Sequence, residues 1–245
     1  MSKHVVNVEE IKEKAWTEPQ LHLGEKPEFS FVYADSMKVK LLYPLDEELQ
    51  FDRWIDTMYQ PFIATWTNKY LDLSKVPFEA KLVTVRKMIE KNAATVPLEA
   101  ITMTFAVEGV SRAITHQIVR HRQMGFGQES FRITDARHHN VRITPTIASS
   151  AYGQKYIDII KEVKDLYAKM IDSGIPIEQA RNILPIGSIT YITITGTLRS
   201  WIDVWRARGS EGAQDEHQIL TDLELAEFKE KLPQLYDLIK VRIGK

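Results

Sequence analysis

The run Ile189-Thr190-Tyr191-Ile192-Thr193-Ile194-Thr195 alternates branched apolar and hydroxyl side chains, which commits that part of the chain to a β-strand within Ile186 to Thr197. A second run, Ile101 to Glu108, is also β-branched and aromatic, and Gly109 is expected to end it. Phe29 to Ala34 and Lys38 to Tyr43 read as two more strands around a short turn. Helical periodicity fills most of the remainder. Apolar residues recur at helical spacing from Leu49 to Ile63, with Pro61 as a kink or break, and again from Phe78 to Asn92. Val110 to Arg120 reads as helix. The clearest helix is Ala151 to Ser173, with Tyr152, Tyr156, Ile159, Ile160, Val163, Leu166, Tyr167 and Met170 on one face, lysines opposite and Gly174 as C-cap. A short helix opens at Pro176 and stops at Leu184-Pro185, Leu198 to Arg208 turns helical again, and Glu211 to Leu238 is a last helical region interrupted at Pro233. Trp54 and Trp66 belong in the core. With no repeat, low-complexity tract or linker, the expected architecture is one α/β or α+β domain over residues 1–245, a central mixed or antiparallel sheet flanked by helices.

Composition narrows the chemistry. There are no cysteines, which removes disulfides, thiolate metal sites and a cysteine nucleophile. Net charge is -1, so no global basic field of the kind used by non-specific nucleic-acid binders is present, and no nucleic-acid partner is expected. The first ten residues lack the apolar run of a signal peptide and no segment approaches a membrane span, so a cytoplasmic protein without membrane attachment is expected.

Attraction for phosphate must then come from local arginines, and these gather in Arg120-His121-Arg122-Gln123-Met124-Gly125-Phe126-Gly127-Gln128-Glu129-Ser130-Phe131-Arg132. The stretch is a poor helix and a poor strand, and it reads as an anion-binding loop: glycine lets backbone approach a ligand and arginine presents a planar fork to phosphate oxygens. Arg181 and the group Arg199, Arg206 and Arg208 add further cations; the competing use is internal pairing with Glu99, Glu108, Asp203 or Glu216. His121, between two arginines, should stay neutral by like-charge repulsion. Ser130 has no histidine and acid relay near it in sequence, so its hydroxyl is better suited to contact a phosphate or base. His138-His139 lacks a third ligand at helical spacing, and no metal is expected. Neither a P-loop nor a Rossmann fingerprint occurs.

Arg120-His121-Arg122, then seven residues, then Ser130 resembles the signature of the flavin-dependent thymidylate synthases. Pro97-Leu98-Glu99 and Phe105 to Gln117 upstream, then Ala180-Arg181, Leu184-Pro185, Leu198-Arg199-Ser200, Arg208 and Ala213-Gln214 with Glu216 downstream, are similar to that family in order and nearly in spacing, over about residues 75–230. The resemblance implies the thymidylate synthase complementing fold, a methyltransferase with FAD as redox carrier, methylenetetrahydrofolate and NADPH as co-substrates, dUMP converted to dTMP, and a homotetramer with shared active sites. Carried over residue by residue, Gln117, Arg120, Gln128, Glu129, Ser130, Phe131, Arg132, Arg181 and Arg208 would hold the nucleotide. Arg208 would polarise the pyrimidine, and with Ser130 it would be a catalytic residue. Val96, Glu99, Arg120, His121, Arg122, Gln128, Thr197, Leu198, Arg199 and Asp203 would face the flavin.

The departures from that pattern carry information too. The family usually has serine and asparagine where this chain has Gly125 and Gly127, tyrosine at Ile133, histidines at Ala94 and Ala100, and asparagines at Thr197 and Asp203. A carboxylate only accepts hydrogen bonds, whereas an amide also donates, so Asp203 suits a partner that donates, unless it pairs with Arg199 or Arg206 on its own helix. A divergent member acting on dCMP, or giving a hydroxymethyl product, is the first alternative to dUMP methylation. A non-catalytic nucleotide or nucleic-acid-binding protein is the alternative from another class.

Overall fold

The computed structural model describes residues 29–44, 47, 50–64, 75–93 and 95–244; Leu49, Trp66 and Ala94 of the sequence reading lie outside them. In chain order, strand β1 (Phe31–Val32) and a 3-10 turn (Ala34–Ser36) lead into β2 (Lys38–Tyr43), α1 (Phe51–Ile63), α2 (Phe78–Glu90) and α3 (Val96–Glu99). Then come β3 (Thr102–Ser111), α4 (Arg112–Ile118), β4 (Met124–Gln128), β5 (Val141–Arg142), α5 (Pro145–Ala148) and α6 (Gly153–Asp172). The chain continues through α7 (Ile177–Ala180), a 3-10 turn (Arg181–Ile183), β6 (Ile189–Thr197), α8 (Leu198–Arg208), α9 (Asp215–Lys231) and α10 (Pro233–Ile243).

Four strands form an antiparallel sheet in the order β2-β3-β6-β4, and β1 pairs in parallel with β5. This is the α+β arrangement with a central antiparallel sheet that the sequence implies. One face carries Leu41, Met103, Phe105, Val107, Ile192 and Ile194, all buried in the main core with Trp201 and Trp205 of α8. Phe105 meets Trp201 edge-on at 4.8 Å, and Trp205 stacks on Phe228 of α9 at 5.3 Å. Both indole N–H groups of α8 are used: Trp201 donates to the Met103 carbonyl at 3.1 Å and Trp205 to Glu224 at 2.9 Å. On the opposite face Thr104 and Thr195 share a hydroxyl hydrogen bond of 2.9 Å.

Several local expectations change. Residues 29–34 and 38–43 contain strands that pair with other partners, β1 with β5 and β2 with β3, so they do not form a hairpin. Gly109 does not end β3: with φ +82 it makes a bulge where the register shifts between Glu108 and Val110, and the strand runs on to Ser111. Pro61 does not break α1, which continues to Ile63. Residues 120–132 are not a loop throughout, because Met124–Gln128 is an edge strand on β6, with Gly125 opposite Thr195 and Gly127 opposite Thr193. Neither glycine has positive φ, so both serve an extended backbone that their propensity disguised. On α6 the buried residues are Gly153, Ile160, Lys164 and Tyr167, while Tyr152, Ile159 and Leu166 stay exposed. Lys164 turns inward because its ammonium donates to the carbonyls of Ala136 and His139, and burial lowers it to about 8.

One buried ion pair joins distant elements. Arg142 Nε donates to Glu216 at 3.3 Å, and its other nitrogens donate to the carbonyls of Tyr33 and Gly109. Glu216 accepts from the Ser111 N–H at 2.8 Å and hydroxyl at 2.7 Å. Glu216→Ala leaves a buried guanidinium without its counter-ion, and urea unfolding should show a loss of about 3–5 kcal/mol. Glu224 is the second buried acid, pushed up to about 8 by burial, with one oxygen lacking a partner among the described residues. A carboxyl whose folded value is raised contributes its stability fully below the ordinary glutamate value and loses it as pH rises through about 8. Native stability should therefore fall over that window by up to about 1.4 kcal/mol per pH unit. Glu224→Gln should flatten that slope in unfolding curves measured across it.

Candidate active site

The two ends of α4 organise the polar residues. Ser111 caps this helix, its hydroxyl accepting from the Ile114 N–H at 3.4 Å. Five residues on from Arg112, Gln117 sits about 7.5 Å further along the axis.

At the C-terminal end, Gln117 donates to Gln214 at 2.7 Å and holds Arg208, which donates to its carbonyl at 3.2 Å and its side-chain oxygen at 3.5 Å. Arg208 Nε also donates to His121 Nε2 at 3.0 Å. A guanidinium only donates, so Nε2 must be the acceptor and the His121 proton sits on Nδ1. Burial first, and then the Arg208 charge, lower His121 below the ordinary imidazole range, while Asp203 opposes them. His121 is neutral as expected, but not because of its sequence neighbours: Arg120 and Arg122 are exposed. His217 of α9 is 1% exposed, has no partner for either ring nitrogen among the described residues, and is pushed down to about 4 by burial, Arg208 and His121.

At the N-terminal end the Arg112 guanidinium lies 4.1 Å over the Phe131 ring. Burial lowers Arg112, with Glu129 opposing and Arg181 reinforcing. Glu129 pairs with His139 at 2.8 Å and accepts from Thr190 at 3.3 Å. Burial works against its charge, but His139 and Thr190 outweigh it and hold the carboxyl below its usual value. The Ser130 hydroxyl accepts from the Arg132 N–H at 3.3 Å. Arg132 pairs with Glu178 at 3.2 Å, and Arg181 Nε donates to the Glu178 carbonyl at 3.3 Å.

The flavin residues of the sequence reading are placed as follows. Glu99 at the end of α3 pairs with Arg199 of α8, and Val96 is exposed at the start of α3. Thr197 caps α8, accepting from the Ser200 N–H at 3.3 Å. Leu198 is fully buried and its N–H goes to the Ile101 carbonyl at 2.7 Å. Gln128 donates to Thr115 at 2.9 Å. Asp203 is exposed, and among the described residues neither Arg199 nor Arg206 pairs with it. The structure thus brings Gln117, His121 and Arg208 together, and Glu129 to Arg132 near Arg181. Among the described residues no hydrogen bond links these two groups.

Arg112, His139 and His217 are among the polar residues here to which the sequence alone gives no role. Arg112 lies five residues before Gln117 on one helix, a spacing visible in the sequence; the histidines are defined by tertiary burial. Among the described residues no cluster of potential metal ligands forms, and no helix is long and apolar enough to cross a membrane.

Residues 52–234 match the model of the thymidylate synthase complementing protein family, and the chain belongs to that family. Among curated relatives, the flavin-dependent thymidylate synthase of Nitratidesulfovibrio vulgaris is 34% identical over 149 residues, 57% of this chain and 61% of that protein. That of Pyrococcus furiosus is 37% identical over 124 residues, 49% and 51% of the two chains, and that of Clostridium tetani is 29% identical over 182 residues, 67% and 73%. The chain thus spans 61% of the first relative's length. A solved UMP/dUMP methylase, PolB from Streptomyces cacaoi bound with 5-Br dUMP, shares the fold with a TM-score of 0.68 and 16% identity, over 89% of this chain and 100% of that one.

The partly buried Glu129 pair and the exposed Arg132 pair should differ in weight. Glu129→Gln should cost about 1–3 kcal/mol in urea unfolding near neutral pH. Glu178→Gln should change stability by less than about 1 kcal/mol.

Proposed function

We propose that this chain transfers a one-carbon unit to C5 of a pyrimidine nucleotide, with a flavin as redox carrier. The observation that carries the reading is Arg208, a partly buried guanidinium held by Gln117 and His121, both uncharged acceptors. Among the described residues no carboxylate pairs with it, so its charge is available to a ligand. Facing a pyrimidine edge, such a cation stabilises negative charge developing on the ring oxygens and at N3. Gln117 fixes the guanidinium, while Arg120, Ser130, Arg132 and Arg181 supply donors for a phosphate, with Gln128, Glu129 and Phe131 shaping that end. The family's names and the methylase fold support the same class.

The residues present fit a flavin. Arg120 and Arg122 are exposed guanidinia without ion-pair partners among the described residues, as a diphosphate requires. His121 offers a donor at Nδ1, and Val96 and Glu99 on α3, Arg199 and Asp203 on α8 and Thr197 at its N-cap remain for the rest of such a cofactor; Leu198, whose side chain is buried, contributes through backbone alone. The flavin supplies the hydride; the protein residues bind, orient and neutralise charge. Methylenetetrahydrofolate as donor, NADPH as reductant and a homotetramer complete the reading. The exposed stripe Ile159 and Leu166 of α6, with Tyr152 beyond its start, supports self-association.

Asp203 favours a second reading of the substrate. Its carboxylate is not spent on Arg199 or Arg206, and it can only accept, which suits an exocyclic amine such as that of dCMP.

The test is a turnover assay of purified protein with FAD, methylenetetrahydrofolate, NADPH and either dUMP or dCMP, read by product mass. The expected result is a C5-methyl or C5-hydroxymethyl nucleotide, with Arg208→Ala lowering kcat/KM by about 100-fold or more. A protein that binds neither flavin nor nucleotide would remove the reading.

A further inference from the structure

The Arg208 pocket holds more titratable groups than nucleotide binding needs. His121 lies opposite Arg208 with its Nε2 lone pair occupied by the guanidinium Nε–H at 3.0 Å. Asp203 of α8 is the acid whose charge acts on His121, while the flanking Arg120 and Arg122 are exposed. From α9, His217 feels both Arg208 and His121, yet neither of its ring nitrogens has a partner among the described residues at 1% exposure. Glu216 beside it is spent on Ser111 and Arg142.

We propose that the hydrogen bond between Arg208 and His121 is a proton-linked latch: an anionic ligand draws the guanidinium off Nε2, and His121 takes up one proton from solvent at that atom.

The geometry requires the two events to exclude each other. While Arg208 donates to Nε2, that nitrogen has no lone pair for a proton, and a protonated ring would set two cations against one another. Once Arg208 turns to an anion, three things change together. Nε2 is freed, the guanidinium charge is neutralised, and the new imidazolium faces both the anion and Asp203. The bound anion then gains a second cation. The latch rests on the nucleotide reading only for the identity of the anion.

The sign follows from His121 being neutral in the free protein. Proton uptake on binding occurs between its lowered free value and its higher bound value. Affinity should rise as pH falls through the ordinary imidazole range, by up to about tenfold per pH unit, and level off below the free value.

Two measurements test this on the full chain. Nitrogen-15 NMR of the ligand-free protein should show the His121 proton on Nδ1 and Nε2 bare; a proton on Nε2 overturns the latch. Calorimetric titration in buffers of different ionisation enthalpy should show uptake approaching one proton per inorganic sulfate, whose charge does not vary over this range; dUMP, whose phosphate itself titrates there, is titrated alongside for binding. His121→Gln, which keeps an acceptor for Arg208, should abolish that uptake. Should that variant fail to fold, the His121 ring is titrated by NMR in native protein with and without saturating sulfate, and a rise in its midpoint supports the latch. Binding without uptake, uptake unchanged in His121→Gln, or no binding of either anion overturns it. Sulfate binding with uptake, but no binding of dUMP or dCMP, keeps the latch and removes the nucleotide reading.

Discussion

The buried contact between Arg142 and Glu216 fixes the relation between the sheet and the polar site. Arg142 lies on β5, and its donors reach the carbonyls of Tyr33 before the first turn and Gly109 in the β3 bulge. Glu216, in the first turn of α9, accepts from Ser111, the residue that ends β3 and caps α4. A charge pair with almost no exposure is costly unless every donor and acceptor is used, and here the surrounding carbonyls, N–H and hydroxyl use them. Its consequence is positional. With the starts of α4 and α9 tied together, Gln117 comes within 2.7 Å of Gln214, and Arg208 reaches Gln117 and His121. The bulge at Gly109 is part of the same device, since a left-handed residue there turns its carbonyl toward Arg142.

How far the sequence could be read follows from which forces set each element. β3 and β6 declare themselves through branched and aromatic side chains, and α8 through its period, because local propensity and burial agree there. β4 is hidden. Gly125 and Gly127 carry no strand preference, and the strand exists because β6 offers an edge to pair with, a fact no local window contains. The inner face of α6 differs from its apolar stripe for a similar reason: Lys164 points inward to two loop carbonyls, and Ile159 and Leu166 of the stripe lie outward.

The site divides along the same line. Residues that act through type and spacing, the arginines around 120–132 and Arg208, stand out in the sequence because so many cations in a nearly neutral chain need a reason. Residues that act through enclosure do not. His139 becomes a partner of Glu129 only when the segment after Ser130 folds back on β4, and His217 matters only because α9 places it behind Arg208. Even where the outcome was legible the cause was not: His121 is neutral through burial and Arg208, which lies 87 residues away in sequence.

Charge bookkeeping around Arg208 explains why the pocket is built this way. A carboxylate partner would hold the guanidinium firmly but cancel its field, and a ligand anion would then have to displace an ion pair. Neutral acceptors hold it with less enthalpy and leave its field intact. Gln117 and His121 suit the task because an amide carries no charge and burial keeps the imidazole uncharged beside a cation, whereas lysine or arginine at either position would repel Arg208. Nearby, the buried His217 has no partner among the described residues, and an unsatisfied polar group of this kind lowers stability by about 1–3 kcal/mol. A leucine would fill that position more cheaply, so retaining an imidazole there makes sense only if the pocket needs a group that stays neutral at rest and can still bind or share a proton.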